Sequence, residues 1–216
     1  MSRTIDLFLD LLYPTRCIVC RRSISPGRPR FCPSCAERVS GSVHMRTAYV
    51  SDCVCACSYE GELAEAIRRY KFEGCQAYAY AFSELVAERI YEELWGSFDV
   101  MTWAPLAADR MRERGYDQTK LIAEKTAKRL CVPLVPTLKK KNGVKKQSMT
   151  KSAAERRLNI SGAYSVPKPA PVAGKRILLI DDIVTSGSTI SECAKTLRHA
   201  GAERVVCAAL AKTPAP

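Results

Sequence analysis

Between Arg176 and Gly201 the chain reads RILLIDDIVTSGSTISECAKTLRHAG, and few folds can house such a run. Ile177 to Ile180 are uninterrupted aliphatic residues, so 176–180 reads as a strand buried on both faces. Asp181 and Asp182 follow directly, then Thr185, Ser186, Gly187, Ser188 and Thr189, which are small and mostly hydroxylated. Apolar residues then recur at helical spacing from Thr189 to Ala200, Gly201 stops the helix, and Val205 to Leu210 is another aliphatic strand. A strand, a helix and a strand at this spacing form a βαβ unit, which makes the fold α/β with a mostly parallel sheet.

The turn at 185–189 predicts an anion site. Successive backbone N–H groups in such a turn converge, and the helix that follows adds its positive end. Gly187 permits close approach, and the hydroxyls add donors. Asp181 and Asp182 would repel a phosphate, so they suit ribose hydroxyls or, through water, a divalent cation. Capping a helix needs one hydroxyl, and this turn carries several. The Walker A pattern requires a lysine that is missing here, and the dinucleotide glycine pattern is also absent.

The rest of the body alternates in the same way. Helices are expected at 62–71, 78–94 and 119–130, and strands at 98–103 and 133–138. DRMRERGYDQ after Pro105 reads as a loop, whose Arg110 and Arg114 have the planar fork that suits phosphate oxygens. The net charge of +12 is concentrated between Lys139 and Arg157, where eight basic residues meet one acidic residue, Glu155. Such a patch implies a polyanionic partner, either nucleic acid or a ligand bearing pyrophosphate. Segment 139–151 lacks periodic apolar positions and reads as a lid-like loop, with Lys145, Lys146 and Arg156 placed to assist a departing anion. Asp6 and Asp10 interrupt the apolar start of the chain, and no later run is long enough to span a bilayer. The expectation is a cytoplasmic protein with no membrane insertion.

Eleven cysteines in such a chain call for something other than disulfides. Cys17-x2-Cys20 and Cys32-x2-Cys35 make two knuckles that can put four thiolates on one tetrahedral metal, which selects zinc over hard cations. With no open coordination position the metal would be structural, although four thiolates also suit an iron–sulfur cluster. Cys53, Cys55 and Cys57 leave two readings open. They alternate as in an edge strand, or they supplement the first site or join His44 on a second metal. Cys75, Cys131, Cys193 and Cys207 read as small core residues. The chain thus divides into a cysteine-rich head, 1–57, and an α/β body, 58–216.

DDIVTSGSTI resembles the phosphoribosyl pyrophosphate signature of type I phosphoribosyltransferases. The whole layout is similar to the competence-associated ComF family, in which an N-terminal zinc ribbon precedes such a domain. YEGELAEAIRRYKFEG places Tyr59, Gly61, Lys71 and Gly74 on typical family positions, and APLAADRMRERGYDQTKLIA does so for Pro105, Leu106, Arg110, Arg114, Gly115, Tyr116 and Gln118. Gln147, Arg156 and Asn159 match a third block. Two positions depart from the pattern: Ala107 stands where a histidine is usual, and Asp117 where an asparagine is usual. The resemblance implies phosphoribosyl pyrophosphate and Mg2+ as ligands. Asp181 and Asp182 would meet the ribose hydroxyls, Thr185 to Thr189 would hold the 5'-phosphate, and Arg110 and Arg114 would attend the pyrophosphate, joined by Lys146 as read from the basic loop. It also implies a role in DNA uptake and a helicase-like partner. A rival reading from the residues is a non-catalytic adaptor that uses the cradle on single-stranded DNA or protein.

Overall fold

The computed structural model describes residues 15–24, 30–39, 41–141 and 160–214. In chain order the elements are α1 (Pro33–Val39), β1 (Val43–His44), β2 (Cys53–Ser58), α2 (Gly61–Phe72) and α3 (Tyr78–Arg89), which runs into a π-helical turn at Ile90–Leu94. Then follow β3 (Val100–Trp103), α4 (Ala108–Arg114), α5 (Gln118–Leu130), β4 (Lys139–Lys140), β5 (Tyr164–Ser165), β6 (Arg176–Val184), α6 (Ser188–His199) and β7 (Arg204–Lys212).

Five strands form one sheet in the order β1-β2-β7-β6-β3. Every pairing is parallel except β1 with β2, so the expected parallel sheet is present with one short antiparallel edge. The aliphatic runs of β6 and β7 occupy its centre because both their faces are covered. Leu178, Ile180, Val206, Ala208 and Leu210 pack on one face with Ile67, Phe82 and Ile122 of α2, α3 and α5. Ile177, Leu179, Val205, Cys207 and Ala209 pack on the other with Ile190, Cys193, Ala194 and Leu197 of α6. The spacing of those α6 residues is the i, i+3, i+4, i+7 stripe that a helix needs to cover a sheet.

Several boundaries differ from the sequence reading. DRMRERGYDQ contains α4, not a plain loop, closed by Gly115 in the left-handed conformation with φ 76°. Residues 133–138 make only an isolated parallel bridge from Leu134 to Met101, and the strand comes later, at Lys139–Lys140. There it pairs with β5 to form a separate two-stranded ribbon, so the first residues of the expected lysine-rich loop are extended backbone. Cys53 to Ser58 is β2, hydrogen-bonded to β7 within the main sheet, and the expected division at 57/58 falls inside this strand. Cys53, Cys55 and Cys57 are all buried there. Cys193 and Cys207 are core residues as expected, whereas Cys131 is exposed and Cys75 half-buried. Cys131 ends α5 in the left-handed region, a turn position that points outward. Among the described residues, no helix is long and apolar enough to cross a membrane.

Candidate functional site

β6 continues past Ile180 to Val184, so the two aspartates lie in extended backbone and alternate across the sheet. Asp181 shares the face of Ile177 and Leu179, where Lys140, Cys193 and Tyr164 feel its charge. Asp182 takes the opposite face, and its Oδ2 lies 2.7 Å from Lys71 Nζ. Arg114 and Asp117 are close enough on that side to feel the Asp182 charge. The pair therefore straddles β6 shortly before its end at Val184. The backbone N–H of Asp182 donates to Asp181 Oδ1 at 2.8 Å, and that of Ile183 donates to Asp182 Oδ1 at 2.6 Å. Burial and the adjacent Asp182 charge push the Asp181 carboxyl up to about 8.

Three cations, Lys71, Lys140 and Arg114, lie near these carboxylates, and the exposed Arg110 is close to Lys140 and Arg114. Lys71 comes from the last turn of α2 and Lys140 from β4, while Arg110 and Arg114 come from α4. Arg114 lies 4.6 Å from the centroid of the Phe72 ring, and its Nη1 donates to Gln118 Oε1 at 2.9 Å. Its Nε has no acceptor among the described residues, which leaves a directed donor beside the aspartates. Desolvation and the nearby Arg110 lower the Lys140 ammonium, which sits 5.2 Å from the Tyr164 ring. Partly buried cations gathered in this way favour an anionic occupant. Lys146, the other residue expected at this site, lies outside the described residues, as do Gln147, Arg156 and Asn159.

Asp117 has a local task. It is 9% exposed, Oδ1 accepts the backbone N–H of Lys120 at 3.0 Å to cap α5, and Oδ2 accepts that of Leu106 at 3.1 Å. The carboxylate thus ties the 105–107 turn to the start of α5, with each oxygen taken by one N–H.

The 185–189 turn leads from β6 into α6 as expected, with Gly187 at φ 73°. Ser186 Oγ and Ser188 Oγ are 2.8 Å apart. A side chain at Gly187 would put its Cβ 2.8 Å from Met45 Cε, so the segment between β1 and β2 lies directly on the turn. Thr47 and Ser191 fasten it there by a hydroxyl hydrogen bond. A cleft of about 520 Å³ opens between the two, lined by Arg46, Thr47, Tyr49, Ser186, Ser188 and Lys195 among others. Its lining combines hydroxyls with two cations and one carboxylate, Glu192, and its volume falls in the range of small-ligand sites.

The four knuckle cysteines come together, with their Sγ atoms all within 4.8 Å of one another. Cys20 and Cys32 sulfurs are 3.6 Å apart, close to the roughly 3.8 Å edge of a tetrahedron with 2.3 Å zinc–sulfur bonds. Burial and its crowding by Cys32, Cys20 and Cys17 push Cys35 up to about 12, so the ionised set calls for a cation at its centre. The donor set fits a structural zinc ion. The first knuckle is closed by a bridge between Arg16 and Ser23, and the second opens α1. His44 belongs to neither site, since its Nε2 lies 2.6 Å from Glu93 Oε2. Among the described residues, no other cluster of His, Cys, Asp or Glu has metal-binding spacing.

Lys71, Lys140 and the Met45–Thr47 segment were not assigned to the site from sequence. Lys71 carried only a family position, and nothing in the pattern of β1 and β2 signals that the chain between them touches residue 187. Lys140 was one lysine in a basic run, distinguished in space by its pairing next to Tyr164.

Residues 120–216 match the family model described as "Phosphoribosyl transferase domain". Competence protein F of Haemophilus influenzae is 31% identical over 109 residues, which is 50% of this chain and 48% of that protein. Competence protein ComFC of Streptococcus pneumoniae is 30% identical over 68% of this chain and 62% of its own length. Alignment to these two relatives therefore spans less than two thirds of their lengths. Competence protein ComFC of Bacillus subtilis is 27% identical over 89% of this chain and 82% of its own. Among solved structures, adenine phosphoribosyltransferase from Thermoanaerobacter pseudethanolicus overlays 62% of this chain and 81% of its own at 20% identity, with a TM-score of 0.39.

Proposed function

Because the chain belongs to the ComF family of competence proteins, we propose that its α/β body binds phosphoribosyl pyrophosphate with Mg2+ and serves DNA uptake in natural transformation. The observation that carries this reading is the convergence of Lys71, Arg114 and Lys140 on Asp181 and Asp182, with Arg110 beside Lys140 and Arg114, next to the hydroxyl-rich turn at 185–189. The turn and the N-terminus of α6 would hold the 5'-phosphate. Asp181 and Asp182, on opposite faces of β6, would meet the ribose hydroxyls or, through water, the metal. The Arg114 Nε and the Lys71 and Lys140 ammonium groups would meet the pyrophosphate oxygens. Bound Mg2+ would supply charge neutralisation on those oxygens.

If the protein transfers the phosphoribosyl group, a nucleophile on the acceptor forms the new bond to C1 as pyrophosphate departs with the electrons of the broken C1–O bond. No side-chain nucleophile is needed, because the developing charge on the sugar is met by preorganised groups. Titration calorimetry of the zinc-loaded protein with phosphoribosyl pyrophosphate and Mg2+ tests the reading. Saturable one-to-one binding that Asp182→Asn abolishes supports it. Absence of binding in folded, zinc-replete protein refutes it and favours an adaptor that engages single-stranded DNA without transfer.

A further inference from the structure

We infer that Arg69 is a positioning residue through which the metal knuckle sets the place of Lys71 beside Asp182. The inference rests on reading Asp182 as part of the ligand site. Arg69, in the last turn of α2, is only 8% exposed, yet it is charged. Its Nη2 donates to the carbonyl oxygens of Ile18 at 2.7 Å and Val19 at 3.0 Å, the two residues between Cys17 and Cys20.

Those two carbonyls belong to peptide groups that also face the metal site. The backbone N–H groups of Cys20 and Val19 lie beside the Cys17 sulfur. The N–H of Val19 shares a planar trans peptide with the carbonyl of Ile18, and the N–H of Cys20 shares one with the carbonyl of Val19. Each peptide therefore donates to the sulfur on one side and accepts from Arg69 on the other. A metal-held thiolate keeps both planes oriented, and polarisation along the chain strengthens both bonds. Without the metal the planes lose their orienting charge, and Arg69 is left as a buried cation without fixed acceptors.

Lys71 is two residues further along α2, about 200° around the helix, so it faces away from the knuckle and toward β6. It lies 2.7 Å from Asp182, with both side chains largely buried. Tyr70 lies between them, and its hydroxyl donates to the Gln118 carbonyl at 2.8 Å, which fixes the helix against α5. Arg69 holds the opposite side, and together the two contacts set the roll of this turn and hence the position of Lys71. The start of α2 has its own clamp: Arg38 Nη2 donates to Glu62 Oε2 at 2.8 Å and lies 3.0 Å from Cys35 Sγ. That contact is distant along the helix from Lys71, so it serves as a control.

The test uses the full zinc-loaded chain, with amide hydrogen exchange over 69–74 and calorimetry with phosphoribosyl pyrophosphate and Mg2+. Arg69→Gln should keep one zinc per chain, lose exchange protection across 69–74 and bind the ligand about tenfold more weakly. Arg69→Lys should restore part of both, and Glu62→Gln should alter neither. If Arg69→Gln does not fold, zinc removal from the native chain with a chelator replaces it, and the same amides should lose protection while those of α6 keep theirs. Unchanged protection at 69–74 in Arg69→Gln, or after complete zinc removal, overturns the inference. Native protein that binds no phosphoribosyl pyrophosphate refutes the proposed function, and the exchange measurement still judges the role of Arg69.

Discussion

Replacing Asp181 with asparagine should make the ligand-free protein more stable, and increasingly so as pH rises. Asp181 is buried at 7% exposure, and desolvation, followed by the Asp182 charge, pushes its carboxyl from 3.8 up to about 8. The folded state therefore keeps a proton that the unfolded chain releases above about pH 4. In that window the folded state binds more protons, so stability falls as pH rises, by up to about 1.4 kcal/mol per unit. From pH 5 to 8 the wild-type protein should lose about 4 kcal/mol relative to Asp181→Asn at most, and relaxation around the carboxylate brings this toward 1–3 kcal/mol. Asparagine is nearly isosteric, and its Oδ1 can still accept the Asp182 N–H that Asp181 accepts now. The loss of charge is thus isolated from the loss of a hydrogen bond. Urea denaturation of both zinc-loaded proteins at pH 5, 6, 7 and 8, followed by circular dichroism, provides the comparison. A stability difference that does not change with pH would refute the assignment of a raised pKa to Asp181.

Three further outcomes are expected. Ligand binding that requires ionised Asp181 should release up to one proton per molecule bound at pH 7, seen as a dependence of the calorimetric enthalpy on the ionisation enthalpy of the buffer. Gly187→Ala should destabilise the protein by about 1–3 kcal/mol in chemical denaturation, because alanine is disfavoured at φ 73° and its Cβ meets Met45 Cε at 2.8 Å; adding Met45→Ala should recover only the steric part. Asp117→Ala should cost about 1–2 kcal/mol, since both Lys120 and Leu106 N–H groups lose their acceptor, and the measurement is again a shift in denaturation midpoint.

The features legible in the sequence were those with local causes. The aliphatic run of β6, the helical stripe of α6 and the paired CxxC knuckles each state their structure through spacing alone, and all three are present. Element ends were less legible. Arg110 and Arg114 read as loop residues because α4 buries none of its residues and so has no apolar stripe to betray it. The aspartates read as the end of β6, whereas pairing with β7 extends the strand to Val184 and turns the two carboxylates to opposite faces. Cys53 to Cys57 kept two readings because alternation suits a strand and a ligand row alike, and only pairing with β7 decides between them. Arg69 gave no signal, since its role depends on carbonyls some fifty positions earlier in the chain.

The position of β2 has a consequence for the birth of the molecule. This strand enters the sheet next to β7, with Cys53 opposite Cys207, so it finds its parallel partner only after about 150 more residues have been made. Chain synthesis adds residues at about 5–20 per second, so β2 waits for seconds with three thiols uncovered. The knuckles directly before it need no later residue to gather their four sulfurs. Metal capture can therefore precede sheet closure, and oxidation of Cys53, Cys55 or Cys57 during that interval would block the last strand from docking.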